Sequence, residues 1–293
     1  MTVHLKPARA MFSGAAGNRL IADVFGESGA PVLLLHGGGQ TRHAWRRTAE
    51  ELSRHGRTAY ALDQRGHGDS DWIASGAYTF HDYGEDVRVL AQTLESRSGQ
   101  KPAVIGASLG GIASLLAAGA AQQRGEDLFG SLVLVDITPS VDLSGVAKVQ
   151  GFMREHAREG FASIAEAADV VAAYLPHRPR PPSHEGLKKN LRLHPDGRWR
   201  WHWDPRFLEG PHRVDDGRMK AEKELKAAAA GLRIPALLVR GSASELVQEE
   251  HAKEFLSLVP HAEYADVGGA RHMVAGDRND QFSAAILAFL ARH

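Results

Sequence analysis

A serine flanked two positions away on each side by glycine, in Gly106-Ala107-Ser108-Leu109-Gly110, stands between the apolar run Pro102-Ala103-Val104-Ile105 and the small, helix-favouring run of residues 112–118. Strand, tight turn and helix in that order make up a nucleophile elbow. The serine hydroxyl must project clear of the sheet from a strained backbone, and glycine at the flanking positions lets helix and strand approach closely. The helix that starts there aims free N–H groups, and the positive end of its dipole, at the place where an oxyanion forms. A serine hydroxyl is barely nucleophilic near neutral pH, so a base must lie within hydrogen-bond reach. Of the 16 histidines, His36, His67 and His272 are the candidates, each in a glycine-rich loop.

Those residues need a scaffold. Residues 10–26 read as an antiparallel hairpin with its turn at 14–18. Four continuous apolar runs, 31–35, 58–62, 102–105 and 131–135, are short enough to be strands buried on both faces. Helical segments at 45–54 and 83–95 and after the elbow separate them, which predicts βαβ crossovers and a largely parallel sheet. In such sheets the chemistry lies beyond the carboxyl ends of the strands. His36, Asp63, Ser108 and Asp136 each fall at such an end.

From Thr138 to about Gly231 the rhythm changes. Amphipathic helical pieces at 146–160 and 163–174 lead to a proline-dense break at 176–182 and the cluster Trp199-Arg200-Trp201-His202-Trp203. The sheet resumes at 235–241, followed by a helix at 248–258, a strand at 262–267 and a final helix at 277–291. The expected organisation is an α/β core of residues 1–137 and 231–293, with a helical cap of residues 138–230 inserted over the catalytic face.

The 293 residues carry 35 basic and 35 acidic side chains, a balance that argues against a nucleic-acid or anionic-membrane surface. With no cysteine there is no disulfide framework, thiol nucleophile or thiolate metal site, and the scattered histidines show no metal-ligand spacing. The segment Met1-Thr2-Val3-His4-Leu5-Lys6 lacks a secretory apolar core, and no stretch approaches the roughly 18 apolar residues of a membrane span. A soluble cytoplasmic protein, a monomer or homodimer with a small-molecule substrate and no cofactor or metal, is the expectation.

His36-Gly37-Gly38-Gly39, the run Asp63 to Ser70, Gly106 to Gly110 and Gly269-Ala270-Arg271-His272-Met273, in that order and spacing, resemble the α/β-hydrolase superfamily. The resemblance spans almost the whole chain apart from the cap. It implies an α/β-hydrolase fold, a mostly parallel sheet flanked by helices, with Ser108 as nucleophile and His272 as base. In that pattern His36 supports the oxyanion loop and His67 organises the loop after the fourth strand. The oxyanion hole is implied at the backbone N–H groups of Gly38 and Leu109, and Asp63 and Arg65 are taken as structural, an ion pair holding their loop.

The acid departs from the usual pattern. Superfamily members carry it three residues beyond a glycine after a late strand, and here that position, in Gly241-Ser242-Ala243-Ser244, is a serine. Two carboxylates remain, Asp136 at the tip of the preceding strand and Glu245 next along. A strand end aims its side chain reproducibly, and the sequence around Asp136 and Glu245 resembles a subgroup whose acid has moved to the earlier strand, so Asp136 is preferred.

Trp199, Trp201 and Trp203, alternating as in a strand, either pack the cap onto the core or wall an apolar pocket for aromatic or alicyclic substrates. Arg178, Arg180, Arg192 and Arg206 offer either a carboxylate clamp or solvated surface. The leading expectation is a cofactor-free serine hydrolase acting on an ester, lactone or amide through an acyl-enzyme. Haloperoxidase, perhydrolase or carbon–carbon bond hydrolase chemistry on the same triad, or a non-catalytic receptor of the same fold, are the alternatives.

Overall fold

The computed structural model describes residues 6–293; Met1–Leu5, and with them most of the segment read for a secretory core, lie outside the described residues. β1 (Ala8–Ser13) and β2 (Arg19–Phe25) pair antiparallel across a turn in which the Gly14 N–H donates to the Asn18 carbonyl at 2.7 Å. β3 (Ala30–Leu35) leads through a short 3-10 turn, Arg42–Trp45, into α1 (Arg46–Arg54) and then β4 (Arg57–Asp63). α2 (Phe80–Ser98) opens on a capping box between Thr79 and Asp82 and closes at Gly99 in the left-handed conformation. β5 (Ala103–Ala107), α3 (Leu109–Gln122) and β6 (Ser131–Val135) follow.

An insertion then departs from the sheet. It holds α4 (Leu143–Glu155), α5 (Ile164–Tyr174), a small antiparallel sheet of β7 (Leu191–Leu193) and β8 (Trp199–Trp201), the single turn α6 (Arg206–Glu209) and α7 (Arg218–Ala230). β9 (Ala236–Gly241), α8 (Glu249–Leu258), β10 (Glu263–Val267), the turn α9 (Val274–Asp277) and α10 (Asn279–Leu290) complete the chain. None of the helices among the described residues is long and apolar enough to cross a membrane.

The eight-stranded sheet runs β1-β2-β4-β3-β5-β6-β9-β10, parallel from β4 to β10 and antiparallel at the β1 and β2 edge. Strand side chains alternate between faces. Leu33, Leu35, Val104, Leu132 and Leu238 join one apolar cluster with residues of α2, α3 and α7, while Val32, Leu34, Ile105, Val133 and Val239 join the other with α1 and α10. That double burial is why these strands read as unbroken apolar runs.

The hairpin in the insertion adds strand to what the composition presented as helical. Its turn is His194-Pro195-Asp196-Gly197, with Gly197 at φ 79° and its N–H donating to the His194 carbonyl at 2.9 Å. α7 packs on the core rather than over it: a Cβ on Gly119 of α3 would lie 2.5 Å from Cβ of Ala228.

Closeness also governs the crossing of α3 over β5. A Cβ on Gly106 would lie 2.5 Å from the Gly110 carbonyl oxygen, a backbone atom with little freedom to yield. Gly106→Ala is therefore expected to destabilise the fold by about 1–3 kcal/mol, read as a lower midpoint in urea unfolding; an unchanged midpoint would show that the crossing has slack.

Candidate active site

Two non-glycine residues among those described have positive φ, Ser108 at 46° and Asp136 at 49°. Each follows the last residue of a central strand or stands one beyond it, β5 for Ser108 and β6 for Asp136. Such backbone costs about 1–3 kcal/mol and persists only where its surroundings over-determine it. Here the Ser108 N–H donates to the Val135 carbonyl at 3.2 Å, its own carbonyl accepts from Ile112 at 3.0 Å, and the Asp136 N–H donates to Val239 at 2.7 Å.

Those bonds aim the Asp136 side chain across the strand ends. Oδ2 lies 2.8 Å from His272 Nδ1 and accepts from the Ser244 hydroxyl at 2.5 Å, while Oδ1 accepts from the Gly241 N–H at 2.9 Å. Asp136 is wholly buried. A carboxylate only accepts, so the contact puts a proton on His272 Nδ1. His272 stands in the loop after β10, which Asp277 braces by accepting from the Arg271 N–H at 2.9 Å. His272 and Ser108 line one cavity.

Glu245 lines that cavity too, but no hydrogen bond joins it to His272, and its Oε2 is buried without a partner. Ser244, where the usual acid would stand, instead turns its hydroxyl to Asp136 and accepts from the Leu246 and Val247 N–H groups at 3.1 Å each. The hydroxyl is thereby fixed as a donor toward the carboxylate.

His36 and His67 are held for a different task. His36 Nδ1 donates to the Gly37 carbonyl at 2.8 Å and Nε2 accepts from the Gln64 N–H at 3.1 Å. His67 Nδ1 donates to the Arg65 carbonyl at 2.9 Å and Nε2 accepts from the Gly39 N–H at 3.1 Å. One donor and one acceptor per ring require neutral imidazoles, and burial pushes His36 down to about 4 and His67 down to about 3. Both rings therefore brace the glycine loop. Gly37 is fastened to Gln40 Oε1 at 3.0 Å, and a Cβ on it would lie 3.4 Å from that of Ser108. Between these fastened neighbours Gly38 lines the cavity, as does Leu109.

The expected Asp63–Arg65 pair does not form. Asp63 binds Arg42, accepting from its N–H at 2.6 Å and from its guanidinium, whereas Arg65 makes a two-pronged pair with Asp86 of α2 at 2.6 and 2.7 Å. The chain turns sharply after β4, so side chains two residues apart face different elements. The four arginines singled out in the insertion all have acid partners: Arg178 with Asp277 at 2.6 Å, Arg180 with Asp169 at 2.7 Å, Arg192 with Asp69 at 3.3 Å and Arg206 with Asp204 at 2.7 Å.

The cavity has a volume of about 630 Å³. Its wall is mainly apolar, with Trp201, Trp203, Phe152 and Phe207 prominent, so two of the three tryptophans both fill the interior and face the cavity.

A family model described as serine aminopeptidase, S33 matches residues 26–279. The chain is an α/β-hydrolase. Esterase Rv0045c of Mycobacterium tuberculosis is 32% identical over 244 residues, covering 81% of this hydrolase and 74% of the relative. The 2-(acetamidomethylene)succinate hydrolase of Mesorhizobium japonicum is 28% identical over 231 residues, covering 74% and 72%. The crystal structure of E-2-(acetamidomethylene)succinate hydrolase superposes with a TM-score of 0.82 at 24% identity, over 97% of this hydrolase and 99% of that chain, a likeness of fold.

In this hydrolase the supporting residues Ser244, Arg42 and Asp277 escaped the reading of the sequence. Only Ser244 carried a signal, as the substituted residue in an otherwise recognisable loop.

Two outcomes follow from this geometry. Ser244→Ala removes a buried donor to a buried carboxylate, and the cost is expected at about 1–3 kcal/mol of stability, measured by urea denaturation; no loss would mean that the two remaining donors suffice. Burial leaves the folded histidines at about 4 and about 3 against an ordinary 6.5, so between those values the unfolded chain binds more protons and stability falls as pH drops below 6.5. Proton NMR should show the His36 and His67 ring signals unmoved from pH 7.5 to 5; titration within that range would contradict neutral, bond-fixed rings.

Proposed function

We propose that this α/β-hydrolase is a cofactor-independent serine hydrolase that cleaves an ester or amide bond of a small organic substrate through an acyl-enzyme. The observation that carries the reading is the 2.8 Å contact between Asp136 and His272 Nδ1, in a chain whose Ser108 occupies a strained elbow on the same cavity. The names of the relatives, an esterase and a hydrolase, support it.

In this reading Asp136 holds His272 in the tautomer with Nε2 free and stabilises the imidazolium that forms. Nε2 takes the Ser108 hydroxyl proton as Oγ bonds to the substrate carbonyl carbon, and the carbonyl oxygen becomes an oxyanion facing the N–H groups of Gly38 and Leu109. Collapse breaks the bond to the leaving group, which departs with the proton from Nε2. Water then gives a proton to Nε2, attacks the acyl carbon, and the acid leaves as Ser108 recovers its proton. Each oxyanion donor is worth about 3 kcal/mol of transition-state stabilisation. Residues 138–230 act as a cap on a core of 1–137 and 231–293, with α7 seated against α3 and the segments before it excluding water from the mostly apolar cavity.

A fluorophosphonate probe should label Ser108, as mapped by mass spectrometry, and Ser108→Ala should abolish both labelling and hydrolysis of short p-nitrophenyl esters. Asp136→Asn should lower turnover by about 10⁴-fold while Glu245→Gln stays near the wild type. Collapse in Glu245→Gln alone would transfer the acid's role to Glu245, and labelling away from Ser108 would overturn the reading.

A further inference from the structure

Two guanidiniums on the cavity wall, those of Arg218 and Arg271, have no ion-pair partner among the described residues, and Arg218 is the one that burial perturbs. Arg218, the first residue of α7, lines the same cavity as Ser108 and His272, half-buried, with its guanidinium carbon 5.8 Å from the centre of the Phe80 ring, which also lines it. Among the described residues its guanidinium makes no ion pair and no hydrogen bond. Burial holds its pKa below the ordinary arginine value, outweighing the pull of Asp215 and Glu222. Both of those acids are engaged elsewhere, Asp215 with Arg213 at 2.8 Å and Glu222 with Lys226 at 3.1 Å.

Among the other cations of the wall, Lys189 and Arg271 likewise make no side-chain ion pair among the described residues, but burial shifts only Arg218 of the three. Arg178 and Arg180 are paired with Asp277 and Asp169. The two acids of the wall leave Arg218 uncompensated, since Asp277 is taken by Arg178 and the Arg271 N–H, and Glu245 is not among the charges acting on Arg218. Lys189 and Arg271 add further positive charge to the wall.

The guanidinium nitrogens of Arg218 are not sealed from solvent, so its donors stay open to a ligand, and the planar fork matches the two oxygens of a carboxylate. In a mostly apolar cavity a few polar groups of this kind set the orientation of the ligand. We propose that Arg218 binds a carboxylate of the substrate, so that the preferred substrates are esters or amides bearing a free carboxylate besides the scissile acyl group. This deepens the serine-hydrolase reading and rests on it for turnover, though not for binding.

The test compares mono-p-nitrophenyl glutarate and 4-carboxyphenyl pentanoate with the neutral p-nitrophenyl pentanoate. The wild type should favour at least one charged ester in kcat/KM. Arg218→Gln should lower that value by about 10- to 100-fold, as for loss of a charged hydrogen bond, mainly through KM, and leave the neutral ester within about twofold. Arg218→Lys, which keeps the charge and loses the fork, should fall between. Preference for the neutral ester, or an equal loss on all three, overturns the proposal.

Binding of glutarate to Ser108→Ala, followed by calorimetry, needs no turnover. Weakening of at least tenfold on adding Arg218→Gln supports the carboxylate site even if all three esters prove inert, a result that would count against the triad alone. Unchanged glutarate affinity overturns the carboxylate site whatever the esters do.

Discussion

Asp136 is a carboxylate removed from water at the end of a central strand, and such a charge costs several kcal/mol unless donors surround it. Three segments supply them: the Gly241 N–H at the end of β9, the Ser244 hydroxyl in the following loop and the His272 ring after β10. One buried charge thus ties together elements spread over more than a hundred residues. The position of the imidazole, and of the loop that bears it, follows from satisfying that charge.

The opposite side of the cavity is held by neutral groups. Two buried imidazoles, each giving one hydrogen bond and accepting another, fasten the glycine loop to the turn after β4. Their environment disfavours protonation, so the loop is braced by rings whose hydrogen-bond directions stay constant across the neutral range. Ion pairs lie one layer further out, where Arg42 joins Asp63 and Arg65 joins Asp86, and there a desolvated charge is matched by a desolvated partner. The site therefore rests on strained strand ends, on neutral rings and, beyond them, on the buried ion pairs of Arg42 and Arg65.

The insertion between β6 and β9 contributes walls rather than strands to this arrangement. Its tryptophans at 201 and 203 belong to the interior and to the cavity at once, so packing and ligand contact are shared by the same rings. Most of its arginines close on neighbouring acids, which leaves the charge of the cavity to a small number of uncompensated cations.

What the sequence by itself determined is local. The strands were legible because burial on both faces writes unbroken apolar runs, and the elbow because a close helix crossing demands glycine at two fixed offsets around Ser108. The glycine-rich loops of His36 and His272 were legible for a similar reason, since tight turns restrict residue type at particular positions. Of the small β7–β8 hairpin, the alternating tryptophans marked β8, while β7 and the pairing were missed although Pro195-Asp196-Gly197 wrote the turn, because a strand of three residues carries too short a period to stand out. Only the tertiary structure decided which charges meet. Asp63 turned to Arg42 and not to Arg65, Asp136 to His272 at a separation of 136 residues, and Ser244 to Asp136 at 108. An ion pair or a hydrogen bond depends on where side chains end up within a few ångströms, and neither residue type nor spacing records that distance until the sheet has set it.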